Sequence, residues 1–401
     1  MALKATIKKQ LPKSKDKILD VLKELSDFLK LHFFEREDVV RQIILSVLTR
    51  QHLLLYGDAG TAKSAIIRAL LTAFTSAKFF KNQCTKYQPE EILVGPLNPK
   101  KLREEGLYEH NTDGTLVDAH FAFLDEIFDS NDSTLRSMLE ILNERTFTKG
   151  HQRKKCPLIS AFMSSNFIRT EKNIQAFIDR IIFKAEVKPL REKKHRLGMF
   201  KNYLDEGDLP KFQGEKLTLA DLTLAWELID KVTIPDDVLE LYITILNELK
   251  TQASVVTTDR KSNFMLRVVR ASAFLKGRTK ADPSDLKALR YCSILIGNSN
   301  EETLFDGIFA KFIESISLVQ KAFDELEKEV DEAVSKMKGL KRATTQHIEQ
   351  LREINTKIEK FRDEHLSNIG DDDHRKSVGK KLDKFSDKLG KVVDHLDQII
   401  G

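Results

Sequence analysis

The sequence predicts an α/β chain: a parallel sheet flanked by helices, then an α-helical domain, then a C-terminal helical coiled-coil or three-helix region. Three observations predict it. Short apolar runs (LLLY at 53–56, FAFLDE at 121–126, LISAFMSSN at 158–166) alternate with amphipathic helical stretches, as in sheets whose strands are buried on both faces. Between 215 and 298 the chain is mostly helical, with DLTLAWELIDKV, DDVLELYITILNELK, FMLRVVRASAFLKG and PSDLKALRYCSILIG as separate stripes. From Ile316 onward apolar residues recur by three and four between Lys and Glu, the spacing of coiled coils. The expected domains are 1–190, 191–300 and 301–401.

Bulk properties bound the function. A hydrophobic share of 41% supports an ordinary core, and 32% charged residues imply much solvated helix. The formal net charge of +5 is mild and scattered, so nucleic acid gains little weight as a partner. Cys84, Cys156 and Cys292 lie far apart, without disulfide-framework or zinc spacing, which suits a reducing compartment. The start, MALKATIKKQLPKSK, has no apolar core of signal-peptide length, and no window approaches a membrane span; a cytoplasmic protein is expected.

In chain order, residues 14–50 carry two helical stripes, Ile18, Val21, Leu22, Leu25, Phe28 and Leu29, then Val39, Ile43, Ile44 and Val47. LLLY ends at Gly57 and leads into the helix SAIIRALLTAF. Residues 85–120 break into short pieces with turn signals, and Asp113-Gly114 predicts a hairpin turn between LYEH and LVDAHF. The helix DSTLRSMLEILNE follows FAFLDE, and RTFTKGHQRKK reads as a hairpin with a Lys-Gly turn. In the C-terminal region Phe323, Leu326, Val330, Leu351, Ile358, Leu382, Phe385 and Leu396 belong to the apolar seams. Gly339 decides between an antiparallel two-helix hairpin and a three-helix bundle, and IGDDD marks a second turn.

GDAGTAKS resembles the phosphate-binding pattern G-x-x-x-x-G-K-[ST] but places Ala62, not glycine, before Lys63. In such a loop backbone N–H groups wrap the phosphates, lysine reaches the terminal ones and a hydroxyl holds Mg²⁺. Gly57, Asp58, Ala59, Gly60, Thr61, Ala62 and Ala65 would supply the wrap, Lys63 the cation and Ser64 the hydroxyl. Alanine fits if position 62 already lies in the right-handed region at the helix start. Asp125 and Glu126 end a strand downstream. Asp125 would join Ser64 in holding Mg²⁺ through water, and Glu126 would orient or deprotonate the attacking water. Asn166, ending a third strand, would reach the γ-phosphate or that water. Separately these residues also read as an acidic loop and a turn; together they point to nucleotide hydrolysis at the carboxyl edge of a sheet.

FFEREDVVRQIILSVL, GDAGTAKS, QPEEILVGPLNPKKLREEGLYEHNTDG, FLDEI, ILNERTFTKG and TDRKSNFMLRVVRASAFLKGR together resemble the MoxR family of AAA+ ATPases, within it the RavA-like subgroup, over roughly residues 30–298. The RavA pattern likewise has alanine before the lysine. The resemblance implies an AAA+ core with a helical lid, ATP and Mg²⁺ as cofactors, and a ring, expected to be a hexamer. It implies that Asn166 is sensor 1 and that Arg180, in FIDRII, is the finger reaching a neighbour's nucleotide. Arg260, in TDRK, would be sensor 2 contacting phosphate in its own chain, with Arg267 the competing candidate. It further implies an insert (PEEILVGPLN to LVDAHF) and a hairpin (TFTKGHQRKK) that engage a partner, and a von Willebrand factor A-domain protein as that partner. After residue 300 the chain departs from RavA, because heptads replace the small β-rich module. The expectation is a chaperone-like ATPase. The rivals are a nucleic-acid motor, suggested by Arg153, Lys154 and Lys155, and a nucleotide-gated coiled-coil scaffold; ATP against GTP stays open.

Overall fold

The structure, a computed structural model, describes residues 12–400 apart from 170, 172–173, 175–176, 208, 254–256, 294–304, 311–314, 339–343 and 366–371. The chain divides into two units, one of Met1–Thr233, Thr258–Lys280 and Ala288–Gly297, the other of Ile234–Thr257, Ala281–Lys287 and Asn298–Gly401.

The first unit is built on a five-stranded parallel sheet: β1 (Leu53–Tyr56), β2 (Phe79–Gln83), β3 (Phe121–Asp125), β6 (Ser160–Ser165) and β7 (Phe183–Glu186), in the order β2-β3-β6-β1-β7. In register, Phe123, Phe162 and Leu53 share one face, and Leu124, Met163 and Leu54 the other. All six are fully buried, which is why these strands read as unbroken apolar runs rather than as alternation. Helices α1 (Lys15–His32), α2 (Glu37–Thr49) and α3 (Lys63–Leu71) carry the apolar stripes foreseen near the N-terminus. Ser14 caps α1 by accepting from the Lys17 N–H at 3.3 Å. Short helices α4 (Glu91–Val94) and α5 (Pro99–Glu105) precede β3, and α6 (Asp132–Glu144) follows it. Leu135, Met138 and Ile141 of α6 pack in one core cluster with Leu54, Leu124 and Met163.

The hairpin of β4 (Thr146–Lys149) and β5 (Gln152–Lys155) forms as expected, turning at Gly150 with φ 56°. The hairpin expected at Asp113-Gly114 does not. His110 bridges Leu97 instead, and Leu116–Asp118 is a 3-10 turn capped by the Thr115 hydroxyl. Leu116 and Val117 are both buried, so the alternation a strand needs is absent there. Two edge strands, β2 and β7, were not legible in the sequence. After the sheet come α7 (Lys193–Glu206), α8 (Leu219–Asp230) and, past a segment of the second unit that includes α9 (Asp236–Ala253), α10 (Asp259–Leu275). Thr218 and Asp221 form a capping box on α8.

The second unit contains three long helices, α11 (Ser315–Lys338), α12 (Thr345–His365) and α13 (Asp372–Ile400). Val330, Leu351, Ile358, Leu382 and Leu396, all fully buried, belong to one core, so the three stripes close on each other as a three-helix bundle. Gly339 and the residues Ile369 to Asp371 of the IGDDD turn lie outside the described residues.

Lys184 on β7 is buried, and burial pushes its ammonium down to about 7, with the Lys261 cation acting in the same direction. Its folded pKa lies below the ordinary 10.5, so the unfolded chain binds the extra proton between these values and stability rises with pH across that window. Lys184→Met should therefore raise the melting temperature, by several degrees near pH 7 and by clearly less near pH 10; an equal gain at both would show that the charge is not what burial penalises.

Candidate nucleotide site

Because β6 lies between β1 and β3, the carboxyl ends of all three strands meet at one edge of the sheet. From β1 the chain passes through Gly57 (φ 142°), Gly60 (φ 76°) and Ala62 (φ 68°) before α3 begins at Lys63. A Cβ at Gly57 would stand 2.4 Å from the Val187 carbonyl oxygen, so only glycine passes there. Ala62 corrects the expectation made for it: it sits in the left-handed region, where glycine is the unstrained choice, not in the right-handed helical region. The loop holds its shape and the alanine carries the strain.

Lys63 is 7% exposed. Its ammonium donates to the carbonyls of Gly57 (2.6 Å) and Asp58 (2.9 Å) and to Asn166 Oδ1 at 2.8 Å. Burial lowers its pKa, and the carboxylates of Glu126, Asp125 and Asp58 act against that. The Asn166 side-chain amide donates to Glu126, and its backbone N–H reaches the other oxygen of that carboxylate at 3.3 Å. Asn166 thus ties the cation of β1's loop to the carboxylate beyond β3. Glu126 itself has φ 50°, a left-handed backbone that turns its side chain out of the strand's line. Ser64 Oγ lies 3.3 Å from Asp125 Oδ2, and the Ser164 hydroxyl donates to the other oxygen of Asp125. Sequence reasoning missed Ser164, because a serine inside a buried strand carries no outward signal.

The donor set fits Mg²⁺. One hydroxyl and one carboxylate face each other, and this cation is ordinarily held by one or two protein oxygens plus phosphate and water. Among the described residues no cluster of three or more His, Cys, Asp or Glu forms an all-protein metal cage.

Beside the loop, Ala59, Gly60, Thr61, Ala62 and Ala65 form one wall of a cavity of about 510 Å³. Phe33, Phe34 and Arg36, between α1 and α2, and Met199, Phe200 and Tyr203 of α7 form others. Its polar side chains turn to backbone: His32 Nδ1 to the Phe28 carbonyl (2.8 Å), Asn202 to the Leu31 carbonyl (3.0 Å) and Arg196 to the Leu190 carbonyl (2.7 Å). The interior is therefore mostly apolar. Away from the phosphate loop, the sequence marked only the segment FFEREDVVRQIILSVL, which holds Phe33, Phe34 and Arg36, through its family resemblance; no pattern marked Met199, Phe200 or Tyr203.

Arg180 and Arg260 do not join Lys63 in their own chain. Arg180 precedes β7, and β1 and β7 start level at Leu53 and Phe183, so Arg180 belongs to the amino edge of the sheet, opposite the loop. Arg260, in the first turn of α10, lines the same cavity of about 550 Å³ as Arg180, together with Arg50, Arg145 and Arg267. Arg267 is paired with Asp230 at 3.3 Å, whereas the guanidinium of Arg260 lies 5.7 Å from the Phe264 ring centre. Contact between Arg260 and a phosphate on its own loop, as expected from the resemblance, has no support in this arrangement.

The left-handed Ala62 generates a prediction. Releasing it should return about 1–2 kcal/mol, and glycine costs roughly 0.5–1 kcal/mol in chain entropy. Ala62→Gly should thus shift the urea midpoint slightly upward, and a lower midpoint would show that the loop is unstrained.

Similarity to known proteins agrees with this geometry. Residues 20–217 match the family model of the MoxR domain in the MoxR-vWA-beta-propeller ternary systems, and residues 237–302 match an AAA lid domain. An uncharacterized protein of Methanocaldococcus jannaschii is 29% identical over 392 residues, covering 94% of this chain and 99% of the relative. A second uncharacterized protein of that archaeon is 31% identical over 279 residues, covering 68% of this chain and 70% of the relative. The crystal structure of a proposed ATPase from Cytophaga hutchinsonii superposes with a TM-score of 0.60 at 21% identity, covering 74% of this chain and 95% of that one, which shows the shared fold. With these matches and a parallel sheet that gathers a phosphate-type loop, paired carboxylates and an asparagine at one edge, the chain belongs to the MoxR family of AAA+ ATPases.

Proposed function

We propose that this chain is a Mg²⁺-dependent ATPase that works as a ring, expected to be a hexamer, in the cytoplasm and remodels a protein partner in a chaperone-like role. The observation that carries the chemistry is the chain of contacts from Lys63 through Asn166 to Glu126, with Ser64 and Asp125 alongside. The backbone N–H groups of residues 57–65 wrap the phosphates, and the start of α3 favours their charge. Lys63 exchanges its carbonyl contacts for phosphate oxygens. Ser64 and Asp125 would hold Mg²⁺, which would offset the negative charge of the phosphates. Glu126, oriented by Asn166, positions the attacking water and accepts its proton. The cavity lined by Phe33, Phe34, Phe200 and Tyr203 takes the base and ribose.

Arg180 and Arg260 complete the site in a neighbouring protomer. They share one basic cavity at the amino edge of the sheet, so a second copy that presents this edge to the loop would bring both cations to the γ-phosphate. For the partner, a von Willebrand factor A-domain protein is the candidate, because the matched MoxR domain is that of ternary systems with such a component and a beta-propeller. The nucleic-acid reading keeps one observation in its favour. Arg153 and Lys155 point outward from β5, while Lys154 turns inward to the Thr112 hydroxyl at 2.7 Å. ATPase stimulation by DNA that falls steeply with salt would promote it.

Two experiments test the proposal. Glu126→Gln should bind ATP, hydrolyse it at under about a hundredth of the normal rate, and retain the partner in a pull-down; full turnover by this variant would remove Glu126 from the chemistry. Arg180→Ala should lower kcat about a thousandfold while nucleotide affinity stays within severalfold. Mixing it with Lys63→Ala protein should restore part of the activity in rings where an intact finger meets an intact loop, and no recovery in demonstrably mixed rings would count against a finger acting between protomers.

A further inference from the structure

We propose that Glu35 is a positioning residue for the base and ribose of the nucleotide: it clasps the start of α7 to the loop between α1 and α2, so that the two form one wall system around the cavity beside the phosphate loop. The inference rests on the nucleotide reading given above. Glu35 does not line the cavity; it acts through its neighbours.

Its backbone is left-handed, φ 54°, an uncommon state for glutamate that needs surrounding contacts to hold it. Those contacts are specific. One carboxylate oxygen accepts from the Arg191 N–H at 2.9 Å, and the other from the Glu192 N–H at 2.9 Å and from His195 Nδ1 at 3.0 Å. Glu192 is the cap position of α7 and makes no side-chain capping bond of its own. A residue more than 150 positions away in sequence instead binds the N–H groups at and just before that position, where the helix dipole also favours a negative charge. The backbone N–H groups of Glu192 and Arg191 hold the Glu35 carboxyl down to about 2, so the clasp keeps its charge at any working pH.

The residues on either side grip the same segment. The Phe34 ring stacks on His195, with centroids 5.5 Å apart and planes 15° apart. Gly198 lies so close that a Cβ there would stand 2.6 Å from Phe34 Cζ. Arg36 donates to the Glu35 carbonyl at 2.8 Å and to the Lys188 carbonyl. Three consecutive residues are thus fastened to 188–198. Phe34 and Arg36 carry that fastening to the cavity surface, which they line together with Met199, Phe200 and Tyr203. Removing the carboxylate frees the start of α7 and loosens the apolar wall, but leaves the phosphate loop, on β1 and α3, as it is.

The test separates base from phosphate. Binding of ATP and of inorganic tripolyphosphate, each with Mg²⁺, is measured calorimetrically for the full chain, for Glu35→Ala, for Glu35→Gln and for Gly198→Ala. The expected result is a loss of about tenfold in ATP affinity for Glu35→Ala and Gly198→Ala, with tripolyphosphate affinity unchanged. Glu35→Gln, which keeps one acceptor, should fall between, and KM for ATP should rise with little change in kcat. Equal losses of ATP and tripolyphosphate in both Glu35→Gln and Gly198→Ala would mean general damage to the fold and overturn the proposal, as would unchanged ATP affinity in all variants. If the unaltered chain binds ATP but the variants behave as in either of those cases, the clasp fails and the nucleotide reading stands. If the unaltered chain binds neither ligand, the nucleotide reading itself fails and the clasp with it.

Discussion

The placement of β6 between β1 and β3 is the constraint on which the rest of this molecule depends. Parallel pairing aligns the three strands so that their carboxyl ends terminate together, and each end delivers a different chemical group. β1 delivers Lys63 through its loop, β3 delivers Asp125 and Glu126, and β6 delivers Asn166. Asn166 is the hinge of the arrangement, because its amide can accept from a cation and donate to a carboxylate at once. A one-residue slip of β6 would turn Ser164 away from Asp125 and undo the contact between Asn166 and Glu126.

The site keeps strain that ordinary packing would have discarded. Ala62 and Glu126 are both left-handed without being glycine, and both adjoin groups whose direction matters, the Lys63 ammonium and the Glu126 carboxylate. The core that holds them is close-packed on both sheet faces, with the aromatic and aliphatic side chains of three central strands wholly buried. That packing resists relaxation of the loop. Burial also has a cost, visible at Lys63 and Lys184, where desolvation lowers the ammonium pKa.

The sheet also separates two charge systems. Carboxylates and the phosphate-type loop occupy the carboxyl edge, while Arg50, Arg145, Arg180, Arg260 and Arg267 surround a cavity at the amino edge. The strands are short but stiff, so no side-chain rotation joins the two edges within one chain.

By itself the sequence determined what depends on neighbours in the chain: the buried strands β1, β3 and β6, the turn at Gly150, the amphipathic helices and the candidacy of Lys63, Ser64, Asp125, Glu126 and Asn166 as site residues. Those signals come from periodicity, from glycine placement and from polar groups at the ends of apolar runs, all legible within about ten residues. Only the tertiary structure decided the rest. The edge strands β2 and β7 are short and mixed in polarity, and it is pairing that makes them strands. Asp113-Gly114 has a hairpin's turn residues, but both Leu116 and Val117 turn inward and no strand pair forms. Ala62 takes its backbone from the loop around it, not from its own preference. The cavity wall joins residues near 34 to residues near 200, and Arg260 shares a cavity with Arg180 across some eighty positions. Contacts at that separation follow from how elements pack, and no local pattern encodes them.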